Sequence, residues 1–152
     1  MVAHVLERFR PQVEALLINA NLNLDRWRAF GHPVSPDEIP GYAGPLAGLH
    51  AGLRAALAPR VVTAPCDSPF LPLDLVARLA QAMDASGAEV AVARTGAQPH
   101  PVFLMAERAV LPGLEAFLAS GRRRIDAWYA GLRHAEVDFA DEAAFRNINT
   151  PD

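Results

Sequence analysis

A short β-branched run that stops at two prolines constrains the fold of this chain more than any other feature. The segment Val61-Val62-Thr63-Ala64 has the composition of a buried strand. Pro65 and Pro69 fix φ and remove backbone donors, so the strand must end there. Asp67, between them, is held just beyond the carboxyl end of a strand, where open α/β sheets bind ligands. A carboxylate at that point suits a divalent cation that carries phosphates, and a cap for a helix starting near Pro72 explains it equally well.

Strands and helices alternate along the whole chain, which predicts an α/β sheet with a parallel core and flanking helices. The helices show apolar residues at three- and four-residue spacing, and the strands are short apolar runs between turn residues. Predicted helices cover residues 5–13, 45–57, 73–83, 111–118 and 125–132, and predicted strands cover residues 16–21, 33–35, 61–64, 88–94, 101–105 and 135–139.

Length, composition and charge exclude several classes of protein. A chain of 152 residues with 51% hydrophobic residues is large enough for one folded domain. Its net charge of -3 provides no basic surface for nucleic acid. Its apolar runs are shorter than the roughly 18 residues of a membrane helix. We therefore expect a cytoplasmic protein that binds neither nucleic acid nor membrane.

All 14 basic side chains of the chain are arginines. A bound phosphate must therefore be held by Arg, by backbone N–H groups or by a metal, and not by Lys. A codon bias towards Arg is the simpler origin of this composition, with the same chemical consequence. The cluster Arg122-Arg123-Arg124 can bind phosphate or carboxylate, and a solvated helix end is the alternative interpretation.

Further polar residues fall at predicted strand ends and turns. Asn19 closes the first strand and Asp37 follows the second. The glycines of Gly44-Pro45-Leu46-Ala47-Gly48 allow backbone N–H groups at a helix start to approach an anion, although a plain loop explains them too. His100 lies on a stiff turn between two prolines. Near the chain end, Asn147 and Asn149 share one face of an extended segment, a pattern that also signals a turn and helix cap.

Together these segments resemble the molybdenum cofactor guanylyltransferases from about residue 5 to residue 152. The Cys-Asp-Ser-Pro and Asn-Thr-Pro forms favour the guanylyl branch over related enzymes that transfer cytidylate or sugar-phosphate nucleotides. The matching segments, in order, are Ile18-Asn19-Ala20-Asn21, the Asp37 turn, Gly44-Pro45-Leu46-Ala47-Gly48, Pro65-Cys66-Asp67-Ser68-Pro69, His100-Pro101, the arginines after Gly121, and Asn147-Ile148-Asn149-Thr150-Pro151.

The resemblance implies a Rossmann-like nucleotidyltransferase fold and transfer of GMP from GTP to the terminal phosphate of molybdopterin, with release of pyrophosphate. It implies Mg²⁺ as cofactor, with Asp67 as metal ligand and catalytic residue, and molybdoenzymes or their chaperones as further partners. Asn19 and Asp37 would bind the guanine nucleotide. The residues that would border the nucleotide–pterin junction are Gly44, Pro45, Leu46, Gly48, His100, Arg122, Arg123, Arg124, Asn147 and Asn149.

The chain departs from the family at its start. Members of the family begin with a strand and a glycine-rich Leu-Ala-Gly-Gly loop with an Arg and a Lys that grip the triphosphate, and neither the strand nor the loop is found here. We interpret residues 1–152 as a single nucleotidyltransferase-like domain that is incomplete at both ends, and we expect the chain itself to be a poor catalyst. The alternatives are a non-catalytic relative that keeps a pterin- or partner-binding half, and a relative that transfers cytidylate.

Overall fold

The computed structural model describes residues 2–20, 23–37 and 44–146. Strands and helices alternate in it as the sequence predicts. In chain order they are α1 (Val2–Phe9), β1 (Ile18–Asn19), α2 (Leu24–Arg28), β2 (Val34–Ser35), α3 (Pro45–Ala55), β3 (Arg60–Thr63), α4 (Leu75–Ser86), β4 (Val90–Thr95), β5 (Gln98–Glu107), α5 (Leu111–Ala119), α6 (Ile125–Ala130) and β6 (His134–Asp138).

The main sheet has four strands in the order β3-β5-β4-β6. Strands β4 and β6 pair in parallel, whereas β5 is antiparallel to both of its neighbours, β3 and β4. A tight turn at Gly96, where φ is 57°, reverses the chain between β4 and β5 and forces this direction. Three of the four strands therefore run the same way, and the predicted α/β fold with a mostly parallel sheet and flanking helices is confirmed.

A second, two-stranded sheet lies beside the main one. Ile18 of β1 pairs in parallel with Val34 of β2. Within the described residues β1 pairs with β2 alone and β3 with β5 alone. Helix α3 contacts both sheets. A Cβ added at Gly48 would lie 3.2 Å from the side chain of Asn19 in β1, and one added at Gly52 would lie 3.3 Å from the side chain of Val61 in β3. The two sheets are thus joined under one helix and not by a ladder of hydrogen bonds.

Both faces of the main sheet are buried, as expected for a largely parallel sheet. Residues alternate along β4, so Val90 and Val92 enter one core while Ala91 and Ala93 enter the other. The first core contains side chains of α3, α5 and α6, and the second contains side chains of α1 and α4. The apolar stripes that predicted these helices are the surfaces that pack against the sheet.

The sequence predictions differ from the structure at several element boundaries. The first strand was predicted over residues 16–21, of which residue 21 lies outside the described residues, and in the described part it covers Ile18–Asn19. Helix α2 was not predicted. Helix α4 begins at Leu75, so the interpretation of Asp67 as its cap is wrong. Gly87, with φ at 71°, ends α4 as its residue type suggests. None of the described helices is long and apolar enough to cross a membrane.

Candidate active site

The topology brings several of the predicted site residues to one edge of the main sheet. Strands β3, β4 and β6 run in the same direction, so their carboxyl ends share this edge. Asp67 follows β3, and the turn after β4 leads directly to His100 at the start of β5. Strand β5 runs away from this edge. The next helix, α5, runs back towards the edge and ends shortly before Arg122.

Asp67 is the carboxylate that follows β3 at this edge. Its segment is anchored by Ser68, which is fully buried, while Cys66 and Phe70 are exposed. Asp67 itself is half-buried, and its carboxylate has no hydrogen bond or ion pair to the described part of the chain. A fixed carboxylate without a protein partner fits a hard cation such as Mg²⁺. The described residues contain no group of three metal-ligating side chains.

Asn19 is held in place by its neighbours at the end of β1. Its Nδ2 donates a hydrogen bond to the Ser35 carbonyl over 3.0 Å, which ties the end of β1 to the end of β2. Its Oδ1 faces Gly48, where the missing side chain lets α3 approach closely. Asp37 follows β2 by two residues and is half-buried. The structure thus brings Asn19 to the start of α3, with Asp37 beyond the neighbouring strand.

The start of α3 depends on a glycine. Gly44 has φ at 60° and ψ at −147°, a conformation that is essentially restricted to glycine. Pro45 then occupies the first helical turn, where its lack of an N–H costs nothing. Leu46 is fully buried in the core, so only its backbone can face a ligand.

His100 is half-buried and is the third residue of β5, so the prediction that it lies on a turn is wrong. Its Nε2 lies 2.7 Å from Oγ1 of Thr95, and its ring stacks on Phe145 with centroids 4.8 Å apart. Burial lowers the pKa of His100, and the carboxylate of Glu142 opposes this shift. Phe145 comes just before the segment with Asn147 and Asn149, and these two predicted residues lie outside the described residues.

The three arginines after Gly121 make different local contacts. Arg122 lies over the ring of Phe117, 4.6 Å from its centroid. Arg123 donates to the Leu118 carbonyl at the end of α5 over 2.8 Å. Arg124 pairs with Asp126 over 2.7 Å. Arg122 and Arg124 remain exposed enough to meet a ligand, whereas Arg123 is occupied in ending the helix.

Sequence reasoning missed the partners of His100. Thr95 carried a weak signal, because it comes directly after the strand predicted over residues 88–94 and just before a glycine. Phe145 carried none, since its stacking on His100 joins residues far apart in the sequence. The same holds for His50 and Glu115, which pair across two helices.

Comparison with known proteins gives consistent results. The family model for the MobA-like NTP transferase domain matches residues 1–137. A molybdenum cofactor guanylyltransferase of Cupriavidus taiwanensis is 52% identical over 157 residues, which is 100% of this chain and 79% of that protein.

Two solved structures share the fold. A crystal structure of a protein from Aquifex aeolicus VF5 aligns with a TM-score of 0.81 at 22% identity, over 99% of this chain and 79% of that one. The molybdopterin-guanine dinucleotide biosynthesis protein A of Archaeoglobus fulgidus aligns with a TM-score of 0.77 at 22% identity, with the same coverage.

Proposed function

This chain belongs to the molybdenum cofactor guanylyltransferases, and we propose which of its residues bind the substrates and catalyse the transfer. These enzymes are nucleotidyltransferases that transfer GMP in molybdenum cofactor biosynthesis. GTP and molybdopterin are the substrates that this activity implies. We propose Mg²⁺ as the metal and the cytoplasm as the location. Delivery of the product to molybdoenzymes or their chaperones is part of the same proposal.

The reaction is an in-line displacement at phosphorus. An oxygen of the terminal phosphate of molybdopterin attacks the α-phosphorus of GTP, the bond from that phosphorus to the bridging oxygen breaks, and pyrophosphate leaves with the electron pair. Such a transfer depends on positioning and on neutralisation of charge. Asp67 would hold the Mg²⁺, which would supply this neutralisation when bound.

The other residues bind and orient the two substrates. Asn19 and Asp37 bind the guanosine, with the carboxylate accepting hydrogen bonds from the base edge or the ribose. Gly44 lets the start of α3 approach the nucleotide, and Pro45, Leu46 and Gly48 shape that start. His100, Arg122, Arg123, Arg124, Asn147 and Asn149 border the junction between nucleotide and pterin.

The observation that carries this assignment is the Asp67 carboxylate. Its segment is fixed by a fully buried Ser68, and the carboxylate has no protein partner within the described residues. A charge that is held in position but left unpaired at the ligand-binding edge of the sheet supports a role in binding and not in folding.

The experiment compares Asp67→Asn with Asp74→Asn in the same segment, where Asp74 is exposed at the start of α4 and makes no side-chain cap. Pyrophosphate release is measured with molybdopterin, Mg²⁺ and GTP, CTP or ATP. We expect Asp67→Asn to lower transfer about a hundredfold or more, as loss of a transition-state electrostatic contact does, and Asp74→Asn to have little effect. Both variants should unfold near the wild-type temperature.

The alternatives predict other results. Near-normal transfer by Asp67→Asn would contradict its assignment. Faster transfer from CTP than from GTP would place the chain among cytidylyl-transferring relatives. Binding of molybdopterin without any transfer would favour a non-catalytic relative.

A further inference from the structure

A buried histidine joins α3 to α5. The side chain of His50 is 2% exposed, and its Nε2 lies 3.1 Å from Oε2 of Glu115. The same carboxylate oxygen accepts a hydrogen bond from Arg54 over 3.3 Å. Because an ionised carboxylate can only accept, the ring carries its proton on Nε2 and donates it. The hydrogen bond from His50, assisted by Arg54, lowers the pKa of Glu115 and favours this ionised form.

The second ring nitrogen makes this pairing costly. Nδ1 of His50 is buried and has no hydrogen-bond partner in the described ranges. A buried polar atom without a partner costs free energy that an apolar side chain of similar size would avoid. Packing alone therefore does not account for a histidine here, and the bond from Nε2 to Glu115 is the contact that orients the ring.

The surroundings of this pair are apolar. Leu46, Leu49 and Leu53 of α3 share a core with Leu114 and Leu118 of α5. Contacts among leucines are non-directional, so they specify the axial position of the two helices less sharply than a hydrogen bond does. A directional hydrogen bond between the helices fixes that position, and setting register is the best-attested role of a buried polar pair.

The axial position matters because both helices lead to the same edge of the sheet. At about 1.5 Å of rise per residue, Gly44 lies about 9 Å from His50 along α3. The last residue of α5, Ala119, lies about 6 Å from Glu115 by the same rise, and Arg122 follows three residues later. A slip between the helices therefore moves one loop against the other.

We propose that His50 and Glu115 are positioning residues that fix α3 against α5 and so set the distance between the Gly44 loop and the Arg122–Arg124 loop. This role rests on the proposed function, in which these two loops border the reacting substrates. Small displacements of such groups are costly, because transfer between two bound substrates depends on their alignment. The pair contacts neither substrate and acts through the helices.

The test uses four variants of the whole chain. His50→Leu removes the donor and keeps an apolar volume, and Glu115→Leu removes the acceptor at its half-exposed end. His50→Gln keeps a donor near the Nε2 position. The matched control, Arg54→Leu, removes the other contact to Glu115 but leaves the histidine bond intact. Thermal unfolding and amide hydrogen exchange are measured for each variant, without any ligand.

We expect His50→Leu and Glu115→Leu to unfold within a few degrees of the wild-type chain. Amide exchange should nevertheless rise about tenfold in residues 44–48 and 120–124, the effect of one charge-assisted hydrogen bond. His50→Gln and Arg54→Leu should exchange like the wild type. Unchanged exchange in both loops, or a uniform rise along both helices, would overturn the proposal. If His50→Leu does not fold, the amide exchange of Glu115→Leu tests the proposal.

Transfer kinetics provide a second readout that a merely structural role would not change. His50→Leu should lower kcat about tenfold while KM for GTP stays within twofold, and His50→Gln should restore kcat. Equal kcat for His50→Leu and the wild type would overturn the positioning role. A chain that transfers no guanylyl group counts against the proposed function, and the exchange measurements then decide the positioning role by themselves.

Discussion

The imidazole of His100 shows how local contacts set the chemistry of a single residue. Thr95 binds its Nε2, and Phe145 covers one face of its ring. Both contacts restrict the ring, and burial disfavours its charged form. Its position beside the segment that precedes Asn147 is consistent with a residue that orients that segment, whereas direct contact with a ligand stays a prediction.

Stability should depend on pH through His100. Its pKa in the folded chain is lowered, so the unfolded chain takes up a proton first as the pH falls below about 6.5. The contribution to stability is complete above that value and is lost as the pH falls through the folded pKa. Urea unfolding between about pH 8 and pH 5 should show this decline in the wild type and a smaller one in His100→Gln.

The control for this experiment is His4→Gln, which changes an exposed histidine on α1. It should leave the pH dependence of unfolding as it is in the wild type. An equally steep decline for wild type and His100→Gln would contradict the role of His100.

At the scale of elements, α3 packs closely against both sheets because two of its residues are glycines without a side chain. Gly48 and Gly52 lie one helical turn apart and face Asn19 and Val61 respectively. Each glycine weakens the helix, by roughly 0.5–1 kcal/mol relative to alanine. The close approach of helix and strands offsets this cost, which explains two glycines in one short helix.

Alanine substitutions in α3 and α5 should therefore have opposite effects. Gly113 in α5 is exposed with open space around it, so Gly113→Ala should raise stability by about 0.5–1 kcal/mol. Gly48→Ala would place a Cβ 3.2 Å from Oδ1 of Asn19, whose amide is tied to Ser35. We expect it to lower stability by about 1 kcal/mol, the small end of overpacking costs. Thermal unfolding checks both, and an increase for Gly48→Ala equal to that of Gly113→Ala would refute this account.

At the scale of the whole molecule, each of the two sheets has an unpaired strand edge among the described residues. Ile18 and Ala20 donate to β2, so by alternation the backbone groups of Asn19 point away from β2. Arg108 donates to Pro59, so the backbone groups of Val62 point away from β5. Within the described residues neither edge has a partner strand. Unpaired edges of this kind favour association with other chains.

We predict that the 152-residue chain associates as its concentration rises, because an unpaired strand edge can pair with the edge of another chain. Light scattering after size exclusion should show a molecular mass that increases with concentration. A molecular mass that stays at the monomer value over the whole concentration range would contradict this prediction.

The sequence by itself determined the local features of this protein. Apolar spacing predicted the helices other than α2 together with their buried faces, and Pro65 and Pro69 placed Asp67 beyond the end of a strand. These features were predictable because backbone geometry and side-chain period act over a few residues. The resemblance of ordered short motifs to one family identified the activity, which the comparisons confirm.

Only the tertiary structure decided how distant residues meet. The separation of the two sheets and the approach of Gly48 to Asn19 follow from strand order. The pairing of His50 with Glu115 joins positions far apart in sequence. Such contacts depend on which elements become neighbours in the folded chain. The side-chain pattern within one element does not indicate which other elements it will pack against.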